Sequence, residues 1–346
     1  MHRNILCLDI GSGTQDVLYF MPDRELENCP KFVLPAPARY VGKRIQELTK
    51  AGRHIFLHGS NMGGGFFRAL QAHMQAGFKV ATHPVAALAI ADDITRLEAQ
   101  GIALAERAPD GYCPVHLADY EPGFWRALLG AAGLPYPDLV LAAVQDHGFH
   151  PGRSNRVGRF KLWEGFLRET DGRVEQLLFA SPPAALTRLA TLAVSTGGPV
   201  ADTGAAAVLG ALFMPDIRAR NRDKGILVVN VGNSHVVAFL VRDDRILGVY
   251  EQHTGAMTGQ RLRHDLEAFR QGRLTCDVVL NEGGHGCLVL DAAQAGRDAD
   301  AFAPVFILGP QRKMLEGYGA FPAPGGDMML AGCFGLLQGI MMQQAQ

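Results

Sequence analysis

Hydrophobic and polar positions fall into short apolar runs broken by glycine-bearing turns. Ile5 to Ile10 is apolar except at Asp9, a Gly11-Ser12-Gly13-Thr14 turn follows, and Val17 to Phe20 is apolar again. That pattern predicts a β-hairpin. Gly225 to Val241 repeats the shape around a Gly232-Asn233-Ser234 turn. Third strands are expected at Lys31 to Leu34, stopped by Pro35 and Pro37, and at Ile246 to Tyr250. Further strands are expected at Arg53 to His58, Phe78 to Val80, Pro137 to Val144, Val174 to Phe179, Asp277 to Leu280 and Pro304 to Leu308. Between them lie helical stretches. Tyr40 to Lys50, Phe66 to Gln75, Pro84 to Ala91, Glu121 to Ala132, Leu162 to Thr170 and Pro183 to Ala193 read as helices, and Asp92 to Ala105 as a surface continuation. Leu262, Leu266 and Phe269 sit at helical spacing within Gln260 to Phe269.

Two helices differ from the rest. Ala205 to Leu212 is nearly all small residues, and Gly332, Gly335 and Gly339 lie three and four apart on one face of the C-terminal helix. Small faces let helices cross at the short end of the usual range of about 8–10 Å. Crossed helices between two lobes would make a hinge.

The turns carry the candidate chemistry. Glycine lets a backbone approach a ligand closely, and successive N–H groups in such a turn cradle an anion. Asp9, one step before the cradle, is placed to hold Mg²⁺ through water. An ordinary hairpin with a polar end is the plainer alternative. The strand ending at Val144 opens into Gln145-Asp146-His147-Gly148, and a loop from Phe149 to Phe160 follows with His150, Arg153, Asn155, Arg156 and Arg159. A strand end with an acid and a basic loop behind it is where α/β folds place chemistry. Asp146, His147, Arg153, Asn155 and Arg156 are therefore substrate-site candidates; the alternative is a structural pairing of Asp146 with Arg153 or Arg156. Ser60 and Asn61, in the Gly59 to Gly65 loop ahead of a helix, are further substrate candidates, against a plain tight turn. Asn281 to Gly286 reads equally well as a ligand loop or a turn. Asp146, His147 and His150 lack the spacing of a dedicated transition-metal site.

Composition narrows the classes. Lys plus Arg is 33 against 34 for Asp plus Glu, so nothing in the charge favours nucleic acid or an anionic membrane. Cys7, Cys29, Cys113, Cys276, Cys287 and Cys333 are dispersed, which suits reduced thiols. The first apolar run is interrupted by Asp9 and is no signal peptide. Met328 to Met342 is shorter than the roughly 20 residues that span a bilayer. The expectation is a soluble cytoplasmic chain, its 346 residues enough for two lobes.

The order of motifs resembles the actin, sugar kinase and Hsp70 ATPase superfamily. Asp9 to Thr14 is similar to its first phosphate motif, Ala201 to Leu212 to the first connecting helix, and Asn230 to Ser234 to the second phosphate motif. Val305 to Arg312 resembles the adenosine motif, and Gly325 to Leu337 the second connecting helix. More narrowly, the chain resembles a family within that group labelled as pyruvate formate-lyase activating enzymes. Such activases resemble radical enzymes that need three closely spaced cysteines for an iron–sulfur cluster, and no cysteines here have that spacing.

The resemblance implies an α/β, two-lobed actin-like (ribonuclease H-like) ATPase fold with mixed sheets, flanking helices and a nucleotide cleft between lobes. The first lobe would be 1–213, completed by the helix 327–346, and the second 214–326. It implies ATP and Mg²⁺ as cofactors. Gly11, Ser12, Gly13, Thr14, Asn230, Gly232, Asn233 and Ser234 would hold the phosphates, with Gly309 and Pro310 beside the adenosine and Asp9 anchoring hydrated Mg²⁺. Asp202 would orient water or act as general base, with Asp9 and Asp146 as further catalytic candidates. Asn230 departs from the pattern, which usually has Asp there, and this puts fast hydrolysis in doubt. The expected activity is an ATP-dependent phosphotransferase or activating ATPase acting on a small molecule, with homodimer formation left open. The alternatives are a nucleotide-gated regulatory or assembly ATPase, and a degenerate fold binding another phosphorylated metabolite.

Overall fold

The computed structural model describes residues 3–152, 154–294 and 300–345. In chain order the first strands are β1 (Ile5–Ile10), β2 (Thr14–Phe20), β3 (Lys31–Pro35), β4 (His54–Gly59) and β5 (Val80–Thr82). Next come β6 (Ile102–Leu104), β7 (Tyr112–Leu117), β8 (Leu139–Val144), β9 (Leu178–Phe179) and β10 (Val200–Asp202). The last are β11 (Ile226–Val231), β12 (His235–Arg242), β13 (Arg245–His253), β14 (Gly286–Val289) and β15 (Val305–Leu308).

One sheet has the order β3-β2-β1-β8-β10-β9 and a second the order β14-β13-β12-β11-β15. The same construction appears in both. In the first, β1, β2 and β3 form an antiparallel meander, and β1 also pairs in parallel with β8. In the second, β11, β12 and β13 form the meander, and β11 pairs in parallel with β15. β1, β8, β11 and β15 are almost wholly buried, as expected of central strands covered on both faces. A third sheet, β6-β5-β4-β7, is wholly parallel. It packs with the helices Pro37–Lys50 and Phe67–Gln75 around its own core of Ile45, Leu57, Phe66 and Leu70.

Helices Thr203–Phe213 and Ala331–Gln344 cross where neither has a side chain. A Cβ on Gly335 would fall 1.8 Å from the Ala206 carbonyl oxygen, and one on Gly210 2.1 Å from that of Ala331. The small residues thus serve close approach, as their spacing predicts.

Several local expectations fail: the helix expected over Pro84 to Ala91 stops at Ala87, and the strand expected at Phe78 to Val80 runs instead from Val80 to Thr82. Asp92 to Ala105 is not one helix: 3₁₀ turns at Ile94–Arg96 and Glu98–Gln100 lead into β6. The expected loop from Phe149 to Phe160 ends early, because a helix already runs from Asn155 to Thr170. Asp277 to Leu280 lies in a helix, Cys276–Asn281, and Val174 begins with a 3₁₀ turn before the two-residue β9. Short apolar runs fit either period, so tertiary packing decides. Among the described residues no helix is long and apolar enough to cross a membrane.

Candidate functional site

The two hairpin turns close in the same way. Gly11 N–H donates to the Thr14 carbonyl at 2.9 Å, and Gly232 N–H to the His235 carbonyl at 2.9 Å. Those two amides are spent on the turns, which leaves Ser12, Gly13, Asn233 and Ser234 at the tips. The tips face each other: a Cβ on Gly13 would lie 4.0 Å from Asn233 Nδ2 and touch nothing nearer. Both turns line one cleft of about 390 Å³, within the roughly 300–1,000 Å³ usual for small-molecule sites.

The structure brings most of the expected residues to this cleft. Asp9, Gly11, Ser12, Gly13 and Thr14 line it from one side, and Asn230, Gly232, Asn233 and Ser234 from the other. Gly309 and Pro310 also line it, as do Asn61, Asp146, His147, Asn155 and Asp202. Ser60 does not line it, and its hydroxyl donates to the Leu117 carbonyl at 3.2 Å. Arg156 turns away and donates to the Leu280 and Gly284 carbonyls at 3.3 and 3.0 Å. Arg153 lies outside the described residues.

Asp9 sits deep in the cleft. Thr203 Oγ1 donates to its Oδ1 at 2.7 Å. Gly332 lies behind it, where a Cβ would be 1.9 Å from Oδ2. Burial pushes its pKa up to about 7, against the Thr203 hydrogen bond, with Asp202 adding repulsion. Directly across the hairpin, in register with Asp9, stands Asp16, which the sequence reading missed. Asp16 also lines the cleft, and its Oδ1 is buried without a hydrogen-bond partner among the described residues. Burial, then the Asp9 charge, raises its pKa to about 8. Like charges directly opposite in a hairpin destabilise it. A hard divalent cation removes that cost, so the pair fits Mg²⁺. The register could have been counted outward from the turn, since Ile10 opposite Gln15 sets Asp9 opposite Asp16.

The other carboxylates of the wall are occupied. Among the described residues, no arginine side chain forms a salt bridge with Asp146. Its oxygens accept from Gly148 N–H at 2.8 Å and Leu189 N–H at 2.9 Å, bracing the strand end against a helix. Asp202 caps the Thr203–Phe213 helix through Gly204 N–H at 2.9 Å. It also accepts from Arg159 Nη1 at 3.0 Å and Nη2 at 3.3 Å. Burial alone would raise its pKa, but the Arg159 guanidinium outweighs this and holds it below the usual range. Arg188, also missed, donates to both Asp119 oxygens and to the Gln145 carbonyl. Neither arginine has a sequence signature, because each partner is distant in the chain.

A doubled meander with a parallel fourth strand, two facing phosphate-type turns and a crossed pair of connecting helices define the two-lobed actin-like ATPase class. Within it, the chain belongs to the family described as "Putative pyruvate format-lyase activating enzyme (DUF1786)", whose profile matches residues 62–314. No curated protein matches the sequence. Among solved structures, an exopolyphosphatase-like protein aligns at 9% identity and TM-score 0.29, over 89% of this chain and 66% of that one. The ethanolamine utilization protein EutJ from Carboxydothermus hydrogenoformans aligns at 10% identity and TM-score 0.31, over 96% and 88%. The ROK hexokinase from Thermus thermophilus aligns at 11% identity and TM-score 0.34, over 99% and 100%. Superpositions this loose add nothing to the strand order on which the fold rests. The cysteines do not gather for an iron–sulfur cluster: the group of three metal-ligating side chains found among the described residues is made of histidines.

Proposed function

We propose that the cleft binds ATP with Mg²⁺ and that the protein is an ATP-dependent phosphotransferase or activating ATPase acting on a small molecule. The observation that carries this is the pair of facing turn tips, with Gly13 opposite Asn233. Backbone N–H groups of Ser12, Gly13, Asn233 and Ser234 would hold the polyphosphate, and Gly309 and Pro310 would flank the nucleoside. In this reading 1–213 with the C-terminal helix 327–346 forms one lobe and 214–326 the other, both moving on the crossed helices. Asp9 and Asp16 would hold Mg²⁺, which supplies charge neutralisation on the phosphoryl oxygens. Thr203 fixes the Asp9 carboxylate. Asn61, Asp146, His147 and Asn155 form the substrate end, with Asp146 acting through the backbone it braces.

Two observations favour a second reading, a nucleotide-gated regulator of slow turnover. Asp202, the expected base, is engaged by Arg159 and by its own helix, and Asn230 stands where the pattern has Asp. Apo geometry by itself does not remove a base.

Isothermal titration with ATP and Mg²⁺ tests the proposal. Binding is expected, and Asp9→Ala should weaken it at least tenfold, about 1.4 kcal/mol. No heat with ATP, ADP or GTP would remove both readings. ADP release stimulated by a metabolite separates the enzyme from the regulator.

A further inference from the structure

We propose that His147, His235 and His285 form a binding site for a divalent transition-metal ion, Zn²⁺ first among them, in the wall of the cleft. The three come from separate places: the loop after β8, the first residue of β12 and the residue preceding β14. One nitrogen of each lies within 4.8 Å of the other two. His147 Nε2 and His235 Nε2 are 3.4 Å apart. Two ligands of a tetrahedral Zn²⁺, with Zn–N near 2.0–2.1 Å, stand roughly 3.3–3.4 Å apart.

His285 supplies an independent sign. It is 1% exposed, and neither ring nitrogen has a hydrogen-bond partner among the described residues. Buried polar groups are normally paired, and one left bare carries an uncompensated desolvation cost. A bound ion satisfies one of the two nitrogens.

The surroundings suit a cation that takes neutral imidazole. The Gln145 side-chain amide reaches His235 Nδ1 through Nε2 at 2.8 Å and through Oε1 at 3.1 Å. Turned so that Oε1 accepts the Nδ1 proton, the amide fixes the tautomer whose Nε2 lone pair faces His147, the usual arrangement behind a ligating histidine. Burial, with Arg159 and neighbouring histidines adding repulsion, disfavours the charged form of all three. The nearby arginines are matched, Arg159 by Asp202 and Glu251 and Arg188 by Asp119. Imidazole selects Zn²⁺ and its neighbours, whereas the carboxylates of Asp9 and Asp16 select Mg²⁺, so the cleft offers two ions different places. His147 and His235 line the cleft, which leaves a fourth position facing it. Three protein ligands and one open position is the plan of a catalytic Zn²⁺.

The test needs no nucleotide, so it stands or falls apart from the ATP reading. Full-length protein stripped with chelator is titrated with Zn²⁺ against a chromophoric competitor, and with Co²⁺ by visible absorption. One Zn²⁺ per chain and an intense four-coordinate Co²⁺ spectrum are expected. His285→Gln and His147→Gln should each weaken Zn²⁺ at least 100-fold, and Gln145→Ala about 10–100-fold. His147 lines the cleft and is less buried than His285, so its variant reports even if loss of His285 unfolds the chain. His116→Gln, in the separate His58–His116 pair, should leave the affinity unchanged. Failure of the wild type to bind Zn²⁺, a six-coordinate Co²⁺ spectrum, or equal affinity in wild type and a folded His147→Gln would overturn the proposal.

Discussion

Arg159 and Asp202 form a buried ion pair at 3.0 Å, and the same guanidinium reaches Glu251 at 2.7 Å. Burial works against its charge, but the two carboxylates more than offset this. The pair joins the Asn155–Thr170 helix to the start of the Thr203–Phe213 helix, and Glu251 extends it into β13. Arg159→Ala would leave two buried carboxylates without their cation. It should destabilise the fold by about 3–5 kcal/mol, read as a lower denaturation midpoint at unchanged slope. A loss below about 1 kcal/mol would mean the three groups are independent.

Gly332 holds the C-terminal helix against Asp9. With a methyl group 1.9 Å from Oδ2, either the carboxylate or the helix must move. Gly332→Ala should weaken Mg²⁺–ATP binding at least tenfold in a protein that still folds. Gly339→Ala, whose nearest neighbour is the flexible Leu209 Cδ1 at 3.2 Å, should leave binding within a factor of two or three. Calorimetry on both variants checks the order, and equal affinities would separate Asp9 from the nucleotide.

Gly13 gives the opposite case, a change felt by ligand and not by fold. A Cβ there has only Asn233 Nδ2 within reach, at 4.0 Å, so Gly13→Val should change stability by no more than about 0.5 kcal/mol. Its γ-carbons would enter the gap between the turns and reduce ATP affinity at least tenfold. Unchanged affinity would place the polyphosphate elsewhere.

Much of this was legible in sequence because hairpins and small-residue helices write themselves locally. β1 with β2 and β11 with β12 follow from apolar runs about glycine turns. Gly332, Gly335 and Gly339 mark a close helix crossing. What stayed hidden depends on distant partners. The helix from Asn155 buries Arg159 beside Phe160, Trp163 and Leu167, so its apolar stripe is masked by an arginine whose counter-ions lie 43 and 92 residues away. β7 carries Pro114 and was not assigned; it lies at a sheet edge, where proline is tolerated. His147, His235 and His285 are too far apart in the chain to form a motif, and only the packing of β8, β12 and β14 gathers them.

Asp9 and Asp16 make the metal-free protein sensitive to pH in a defined sense. In an unfolded chain both carboxyls lose their protons near pH 4. Folded, burial holds Asp9's proton to about pH 7, and burial with the Asp9 charge holds Asp16's to about pH 8. Across that window the native state binds more protons than the unfolded state, so stability falls as pH rises. The depressed histidines act in the other direction below about pH 6.5, so the contribution is isolated as a difference between wild type and Asp16→Asn. In chelator, Asp16→Asn should gain on wild type as pH goes from 6 to 8.5, because the amide has no proton to lose. Mg²⁺ prefers the ionised pair and should raise the wild-type melting temperature more at pH 8.5 than at pH 6. In Asp16→Asn that Mg²⁺ shift should shrink at both pH values. Thermal melts at two pH values with and without Mg²⁺ supply all the comparisons. A Mg²⁺ shift that is the same in both proteins and independent of pH would show that the ion does not see these two carboxylates.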